Sequence, residues 1–516
     1  MKPRPTRVCA YATLTLLTIV SALTLGAQTV RAATYTVSST DDIADGSPGD
    51  GVCETVAGSS ICTLRAAIQE ANAQAAAGSL ESSLIVVPAG TYRLALPGRG
   101  DDANLTGDLD INTGLTLEGA GADTTIIQGA ALDRVLDVAP APVSAPADIE
   151  VKISGITVED GLPEDTETGG GIRYASKLVL RAAIVRNNTA GSGGGIASTI
   201  ADGTSSELTL IDSTVSTNQT LFAPGGSADG SGGGISARIG PLTITRSVIR
   251  ENTAFDVGGG VHAGDTTVTD SWITGNSSTF GGGLDLTGCV AMASSLISGN
   301  TAPVGAGLSS SGVCDSTIVN TTFSGNTASL QGGAMIIIGG GGSLSITYST
   351  VTENVREGAG VDASGGGIFK ATGFETRPVY LQNTIVASNS PDNCAGPELI
   401  SRGNNVDSDG SCNLTEATDL PAVAPLLGPL ADNGGATQTH ALLDGSPAID
   451  AASTISGIET DQRGLSRPVD GNADGTAVSD IGAYELGGAP PDEACKPKHE
   501  HKHKRKHRHR HKHWAH

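Results

Sequence analysis

A short phrase recurs along the middle of this 516-residue chain. It combines a few apolar and hydroxyl residues with an Asn and a later glycine cluster, as in TFSGNTASLQGGA at residues 322–334. The Asn returns every 24 to 35 residues, at Asn188, Asn218, Asn252, Asn276, Asn300, Asn326, Asn354 and Asn389. Self-similarity at such a period is typical of repeat architectures, in which each unit packs only against its neighbours.

Two columns of the aligned repeats indicate which side chains point inward. The residue three before each Asn is Val, Ile or Phe, and the residue five before it is Ser, Thr or Ala. Side chains alternate along a strand, so these columns share a face, and the mostly polar column six before each Asn is expected to face outward. Stacked coils would also bring the Asn side chains into an amide ladder.

The periodicity predicts an all-β fold, a parallel β-helix over residues 84–392. Gly is abundant at 71 residues and aromatic residues make up only 3%, which suits thin strands and tight turns. A leucine-rich repeat would need a Leu-rich pattern and a helix in each unit, and a two-sheet sandwich would need hairpins. The sequence carries neither pattern among its repeats.

The two ends of the repeat array differ from its middle. Residues 33–83 are expected to form a capping region, because the Ala-rich stretch from Cys62 to Gly78 predicts a helix that would cover the open end of the stack. Its apolar face carries Leu64, Ile68 and Ala71. Residues 393–488, which are rich in Pro and Asp loops, are expected to form a C-terminal domain.

Residues 1–32 are expected to be a signal peptide. Basic residues precede an apolar run from Val8 to Leu25, and Val30–Ala32 fits a small-residue cleavage site. A membrane anchor is the alternative, but Thr and Ser interrupt a run that is already short. No later segment is long and apolar enough to span a bilayer. We therefore expect a secreted or cell-surface protein.

Export permits disulfide bonds. Proximity along the chain pairs Cys53 with Cys62, Cys289 with Cys314, and Cys394 with Cys412. Cys495 is left over, which suggests a free thiol or an intermolecular bond.

The net charge of −23 conceals a split between the body of the chain and its end. The last 21 residues hold nine Lys or Arg and one Glu, a net charge of +8. The first 32 residues hold four Lys or Arg and no acid, a net charge of +4. The body of the chain between these two parts therefore has a net charge of −35. Such a body repels nucleic acid and anionic membranes, so no specific nucleic-acid partner is expected. Residues 489–516 form a basic tail that is expected to be disordered and to attract anionic envelope polymer.

Eight of the ten His lie in this tail. Alternating imidazoles can bind Zn²⁺, Ni²⁺ or Cu²⁺, and a solubilising end is the simpler alternative. The candidate metal ligands are His499, His501, His503, His507, His509, His511 and His513.

Three stretches resemble known families of bacterial secreted proteins. GVCETVAGSSICTLRAAIQEAN, residues 51–72, resembles the Cys-Ser-Leu-Arg-Glu-Ala (CSLREA) motif and departs from it at Thr63 and Ala66. NGGATQTHALLDGSPAIDA with DQRGLSRPVDGNADGTAVSDIGAYE resembles the choice-of-anchor domain, type Q, and FSGN with GGAM is similar to the repeats of polymorphic outer membrane proteins. The resemblance implies a right-handed parallel β-helix of the pectate-lyase-like kind on an exported surface protein with no assigned reaction.

One outward cluster is a candidate carbohydrate site. Asp212, Arg246 and Asp270 fall in one column, with Trp272 on the same face and Arg250 beside it. A sugar groove with Trp272 as a stacking platform is one interpretation, and a surface ladder of ion pairs is the other. Hydrolases of this fold need clustered carboxylates, and neither the paired Asp-Asp motif nor the Gly-His-Gly of polygalacturonases occurs among the repeats.

A second candidate site is the stretch DGNADG at residues 470–475, which matches the opening of a Ca²⁺ loop. Its expected ligands are Asp470, Asn472, Asp474 and, from outside the stretch, Asp480. The alternative is a turn whose side chains bond their own backbone. The sequence thus favours a non-enzymatic adhesion or carbohydrate-interaction protein over a polysaccharide lyase or hydrolase, with metal binding by the tail as a third possibility.

Overall fold

The fold comes from a computed structural model that describes residues 32–76, 82–139, 149–199, 206–221, 229–358, 365–372, 377–397 and 399–489. All of them belong to one compact unit that begins at Ala32. The predicted signal peptide up to residue 31 and the predicted basic tail from residue 490 lie outside the described residues.

Three long sheets run along the molecule, and each coil contributes one strand to each sheet. The first sheet contains Thr34–Thr36, Ser83–Val87, Leu115–Gly119, Glu150–Ser154, Lys177–Arg181, Glu207–Ile211, Leu242–Thr245, Thr266–Thr269, Val290–Ala293, Ser316–Val319, Leu344–Thr347, Val379–Gln382 and Ile400–Ser401. The second sheet contains Gly90–Arg93, Thr125–Gln128, Thr157–Glu159, Ile184–Arg186, Thr214–Ser216, Val248–Arg250, Trp272–Thr274, Leu296–Ser298, Thr322–Ser324, Thr350–Thr352, Ile385–Ala387, Val406–Asp407 and Leu420–Pro421. The third sheet contains Leu109–Ile111, Leu136–Val138, Ile172–Tyr174, Ile196–Ser198, Ile235–Ala237, Val261–Ala263, Leu284–Leu286, Leu308–Ser310, Met335–Ile337, Ile368–Lys370 and Cys394–Ala395.

Every strand pair within these three sheets is parallel, and each strand lies beside its copy in the next coil, as Val248 lies beside Trp272. Short parallel strands extend some turns, at Thr189–Ala190 with Gln219–Thr220 and at Thr301–Val304, Thr327–Gln331 and Val355–Arg356. The predicted all-β parallel β-helix is confirmed. Parallel crossovers of this kind are right-handed in nearly all proteins.

The inside of the coil is filled by apolar side chains from the strands of all three sheets. The column three before each Asn is fully buried, including Ile249 and Ile273. The Asn side chains themselves are buried and form the predicted ladder, each Nδ2 donating to Oδ1 of the next Asn at 2.8–3.0 Å. The ladder runs from Asn188 to Asn389 and continues to Asn393.

The corner between the first and second sheets differs from the expected strand alternation. The column six before each Asn is not in a strand but has a left-handed backbone, with φ between 46° and 52°. Its members are Ala182, Asp212, Arg246, Asp270, Ser294, Asn320, Tyr348 and Asn383. The Ser column that follows forms a second ladder, in which Ser271 N donates to Ser295 Oγ at 3.2 Å. The corner therefore exposes this column because the chain turns there, and not because strand side chains alternate.

The helix Leu64–Ala76 caps the first coil, and the predicted apolar face of Leu64, Ile68 and Ala71 is buried. Arg65, within the stretch that resembles the CSLREA motif, is 1% exposed. Its guanidinium binds the carboxylate of Asp42, with Nε 2.6 Å from Oδ1, and donates to the backbone oxygens of Gly107 and Asp108. Arg65 thus ties the N-terminal segment to the loop before the third sheet.

The three predicted disulfide bonds are present, between Cys53 and Cys62, Cys289 and Cys314, and Cys394 and Cys412. The strand stack continues past residue 392, because the second sheet ends only at Leu420–Pro421. Among the described residues, no helix has the length and apolar character to cross a membrane.

We call residues 427–489 the C-terminal segment. It begins with the antiparallel pair Leu427–Ala431 and Thr439–Leu442 and otherwise consists of turns. It packs on the outer face of the second sheet, where it buries Tyr348, Ile385 and Val406 against its own Leu442, Ala448 and Ile481. The column predicted to face outward is therefore covered at Asn320, Tyr348 and Asn383.

Candidate functional site

The outer face of the second sheet is covered in its last coils and open in its middle coils. Leu296, Thr322, Thr350 and Ile385 form one outward row and are buried under the C-terminal segment. The same row is half-buried in the preceding coils, at Ile184, Thr214, Val248 and Trp272. We call these four residues the open strip. Four neighbouring coils make it about 14 Å long.

Trp272 marks the end of the open strip. Its indole Nε1 donates to the backbone oxygen of Ala436 at 2.7 Å, so the C-terminal segment fixes the ring in place. One coil further, Thr437 Oγ1 donates to the backbone oxygen of Ser294 at 3.3 Å. Trp272 therefore belongs both to the open strip and to the edge of the covered surface.

One rim of the strip is formed by Asp212, Arg246 and Asp270, which the structure brings together in successive corners. Arg246 binds Asp212 with two hydrogen bonds, Nε to Oδ1 at 2.7 Å and Nη2 to Oδ2 at 3.1 Å. This bonding lowers the pKa of Asp212 below its usual value. Burial raises the pKa of Asp270, against the attraction of Arg246. The two carboxyl groups are thus shifted in opposite directions.

The other rim carries Arg186 and Arg250, which share a column of the second sheet. Arg186 Nε lies 2.8 Å from Oε2 of Glu159. Arg250 lies beside Thr274 and not beside Trp272, and its Nη1 is 3.1 Å from Oε2 of Glu251. The predicted cluster is therefore split between two rims, and three of its charged groups form ion pairs.

A recess of about 350 Å³ lies in the earlier coils of the second sheet. Planar polar side chains line it, and Gln128 Nε2 donates to Asp160 Oδ2 at 2.8 Å. The lining includes Arg93, Gln128, Asp160, Asn187 and Thr189.

A cluster of buried charges lies at the start of the third sheet, and sequence reasoning missed it. Asp110, Asp137 and Arg173 occupy one row of adjacent strands. Arg134 reaches Asp108 at 2.9 Å and Asp137 at 3.6 Å, and Arg173 pairs with Asp137. Burial raises the pKa values of Asp110 and Asp108, and neighbouring carboxylates act in the same direction, whereas Arg134 opposes the shift at Asp108. The Asp-rich run at residues 101–110 was the available signal, but only the strand register reveals its partners.

The predicted Ca²⁺ loop has side chains that bond to backbone N–H groups. Asp470 accepts from the N–H groups of Asp474 and Gly475, Asn472 accepts from Asp474, and Asp474 accepts from Thr476. Asp480 is buried and accepts from Asp450 and Leu486. The turn alternative thus accounts for these contacts, and Ca²⁺ binding at this loop stays a prediction.

His262 is 7% exposed, and its Nδ1 lies 2.8 Å from Oδ2 of Asp285 in the next coil. It is therefore a buried member of a polar row. The seven candidate ligands of the tail and Cys495 lie outside the described residues.

The sequence matches no protein-family model and no curated protein. Among solved structures, the chain is similar to the crystal structure of pectate lyase Pel9A, with a TM-score of 0.39 and 15% sequence identity. The similarity covers 88% of this chain and 96% of the other. The fold assignment here rests on the parallel strand pairing described above.

Proposed function

We propose that this protein is an exported, non-enzymatic β-helix protein that binds a polysaccharide along the open strip. The observation that carries the proposal is the position at which the C-terminal segment stops. The segment buries the outward row from Leu296 onward and leaves Ile184, Thr214, Val248 and Trp272 uncovered. A largely apolar row left open beside the covered part of the same face marks an interaction surface.

The chemistry of the strip suits a sugar chain. Apolar and aromatic side chains form its floor, against which the C–H face of a sugar ring packs. Arginine and carboxylate groups form its rims, and these supply fixed, planar donors and acceptors for hydroxyl groups. Because Arg246 and Arg186 are already oriented by Asp212 and Glu159, little side-chain entropy is lost on binding.

The test is a glycan-array screen of the chain from residue 33, with and without Ca²⁺, using three variants. Trp272→Ala should abolish binding, whereas Trp272→Phe should retain most of it, because Phe keeps the ring and loses only the bond to Ala436. Thr267→Ala, an exposed change on the first sheet, is the matched control. If no glycan binds, or if Trp272→Ala binds as well as the control, the open strip is not the binding surface.

Glycoside hydrolysis at the same rim is the second candidate. The observation that favours it is that the pKa of Asp212 is lowered and the pKa of Asp270 is raised. Such opposite shifts favour an ionised carboxylate as base and a protonated carboxyl group as acid. Two coil rises place the residues about 9–10 Å apart, at the upper end of the carboxyl separation of inverting enzymes, roughly 6.5–9.5 Å. Asp270 would be the acid and Asp212 the base.

A reducing-sugar assay over a polysaccharide panel, with a parallel assay for unsaturated lyase products, decides between binding and catalysis. Hydrolysis predicts release of reducing ends by the unaltered chain and its loss in Asp270→Asn. Glycan binding without product, unchanged in Asp270→Asn, supports the non-enzymatic proposal.

Surface retention by the basic tail is the part of the proposal that concerns location. The last 21 residues, within the tail, carry a net charge of +8, whereas the body at −35 would be repelled by an anionic envelope. Salt screens this attraction, so high salt should release the full chain from cells. Truncation after Cys495 should move the protein into the medium without unfolding it. Equal partition of both forms at every salt concentration would contradict retention by the tail.

The same truncation tests metal binding by the tail. Titration with Zn²⁺, Ni²⁺ or Cu²⁺ should detect binding to the full chain that the truncated chain lacks, because the seven candidate His ligands are removed. Identical titrations would exclude the tail as the metal site.

A further inference from the structure

Three carboxylates converge at the start of the third sheet. Asp102 lies in the loop before the first strand of this sheet, Asp110 in that strand, and Asp137 in the strand of the next coil. One carboxylate oxygen from each residue lies within 4.8 Å of the others. Ca²⁺ binds oxygen ligands at about 2.3–2.6 Å, so oxygens on opposite sides of one ion are separated by about 4.8 Å. The three carboxylates can therefore share one ion.

Two of these carboxylates carry an oxygen that is buried and has no hydrogen-bond partner. Asp110 is 0% exposed and Asp137 is 1% exposed. Oδ1 of each residue has no partner among the residues that the structure describes. Their Oδ2 atoms are occupied, by the N–H group of Asn104 and by the guanidinium of Arg173. An unpaired carboxylate oxygen in the interior is costly unless a cation or a donor satisfies it.

Asn112 adds a neutral oxygen near the same place. Its Nδ2 donates to the backbone oxygen of Asp102 at 3.2 Å, and its Oδ1 is buried without a partner among the described residues. Amide oxygens are common Ca²⁺ ligands beside carboxylates.

The two nearby arginines do not pair with all of these carboxyl groups. Arg134 is shared among Asp108, Asp137 and Glu167, and Arg173 pairs with Asp137. Neither arginine forms a salt bridge with Asp102 or Asp110 in the described part of the chain. A divalent cation that displaces the proton favoured at Asp110 would pair with both groups.

From these contacts we infer that Asp102, Asp110 and Asp137 form a binding site for a divalent cation, with Ca²⁺ as the ion that fits best. All its donors are oxygen atoms, which favours Ca²⁺ over Zn²⁺. The donors come from a loop and two adjacent coils, and Ca²⁺ tolerates such irregular geometry better than Mg²⁺.

A cation here would fasten the cap to the coil. The loop that carries Asp102 also carries Asn104, whose side chain contacts Arg65 of the capping helix, and Asn72 of that helix donates to the backbone oxygen of Asp110. An ion that binds only the folded state stabilises it. Ca²⁺ should therefore protect the N-terminal end of the stack most strongly.

The experiment measures Ca²⁺ binding by calorimetry and thermal unfolding in full-length protein that has been freed of metal. Asp102→Asn is the key variant, because this residue is half-buried and its amide keeps the shape of the carboxylate. Asp123→Asn, an exposed change in a turn between the first and second sheets, is the matched control. Asp474→Ala removes any Ca²⁺ binding by the loop at residues 470–475. This change is made alone and also together with Asp102→Asn.

Ca²⁺ should bind and raise the melting temperature of the unaltered chain. Asp102→Asn should weaken this binding roughly ten-fold or more, as changes around a metal typically do. Asp123→Asn should keep it, and Asp474→Ala should keep the part of the binding that Asp102→Asn removes. Asp110→Asn should weaken Ca²⁺ binding as Asp102→Asn does, provided that the variant folds. If Asp110→Asn does not fold, Asp102→Asn alone decides the test. The inference is overturned if Ca²⁺ has no effect, or if Asp102→Asn and Asp123→Asn bind it equally.

Discussion

The guanidinium carbon of Arg467 lies 4.2 Å from the centre of the Tyr348 ring. Tyr348 belongs to the corner column of the coil, and Arg467 belongs to the C-terminal segment. The Tyr348 hydroxyl donates to the backbone oxygen of Ser453 at 2.6 Å, and Arg467 Nε lies 2.9 Å from Oε2 of Glu485. One buried side chain of the repeat thus binds two separate parts of the segment, which is how the segment is held on the sheet.

Replacing Tyr348 should release the C-terminal segment. Tyr348→Ala removes a fully buried ring, which typically costs about 3–5 kcal/mol. We expect limited proteolysis to cut residues 427–489 faster, while the coil keeps its β-sheet circular dichroism. Tyr380→Ala, a half-buried change on the first sheet, is the control and should digest like the unaltered chain. Equal cleavage of the two variants would contradict this role for Tyr348.

The Asn ladder should make a single amide important for stability. Asn276 Nδ2 donates to Ile249 O and Asn300 Oδ1, and its Oδ1 accepts from N and Nδ2 of Asn252, all at 3.0 Å. Asn276→Ala removes these four buried bonds, each worth about 1 kcal/mol. We expect a loss of about 4 kcal/mol in the free energy of unfolding, measured with denaturant.

The neighbouring change Ser277→Ala is the control for the ladder, because Ser277 is half-buried and outside it. A loss below about 1 kcal/mol is expected there, as for most surface changes. If Asn276→Ala is no more damaging than Ser277→Ala, the ladder does not stabilise the stack.

The two faces of one strand give a third test. Ile273 is 0% exposed inside the coil, whereas Thr274 is half-buried on the outer face. Ile273→Asp places an unpaired carboxylate among apolar coils, at a cost of several kcal/mol. Thr274→Asp should lower the melting temperature far less, since its side chain lies at the surface and loses only a bond from Ser298. Equal melting temperatures would contradict the inward and outward assignments.

The sequence was sufficient to predict the coil because each structural requirement recurs in it. Ile273 and Asn276 appear in equivalent form in every unit, so the strand centre and the ladder could be identified by column. The corner was misread as an extension of the strand. Asp212 adopts a left-handed backbone, which Asp takes more readily than most residues, but Arg246 in the same column seldom takes it. The mixed column therefore gave no clear signal of the turn.

The candidate sites were harder to predict because they depend on contacts between distant residues. The bond from Trp272 to Ala436 spans 164 positions, and no periodicity indicates it. The same holds for Asp110 beside Asp137, since the register between unlike early coils is not visible in the repeats. The sequence therefore identified the outward charges but not the surface that the C-terminal segment leaves open.

The docking of the C-terminal segment should weaken in mild acid through His440. His440 is 2% exposed, with Nδ1 2.8 Å from Gly428 O and Nε2 2.9 Å from Ser324 Oγ on the second sheet. Nδ1–H donates to the backbone oxygen, so Nε2 accepts from the Ser324 hydroxyl and the ring is neutral. Burial lowers the pKa of His440 below its ordinary value of 6.5.

A His with a lowered pKa contributes stability above its unfolded pKa, and this contribution is lost as the pH falls from about 6.5 toward the folded value. As the pH falls, the free energy of unfolding of the unaltered chain should therefore decrease more than that of His440→Asn. For one proton the difference grows by at most about 1.4 kcal/mol per pH unit. Thermal unfolding of both proteins between pH 7.5 and roughly pH 5 measures the difference. Tail imidazoles titrate equally in both proteins and cancel, so a difference that stays constant with pH would show that His440 is not the group responsible.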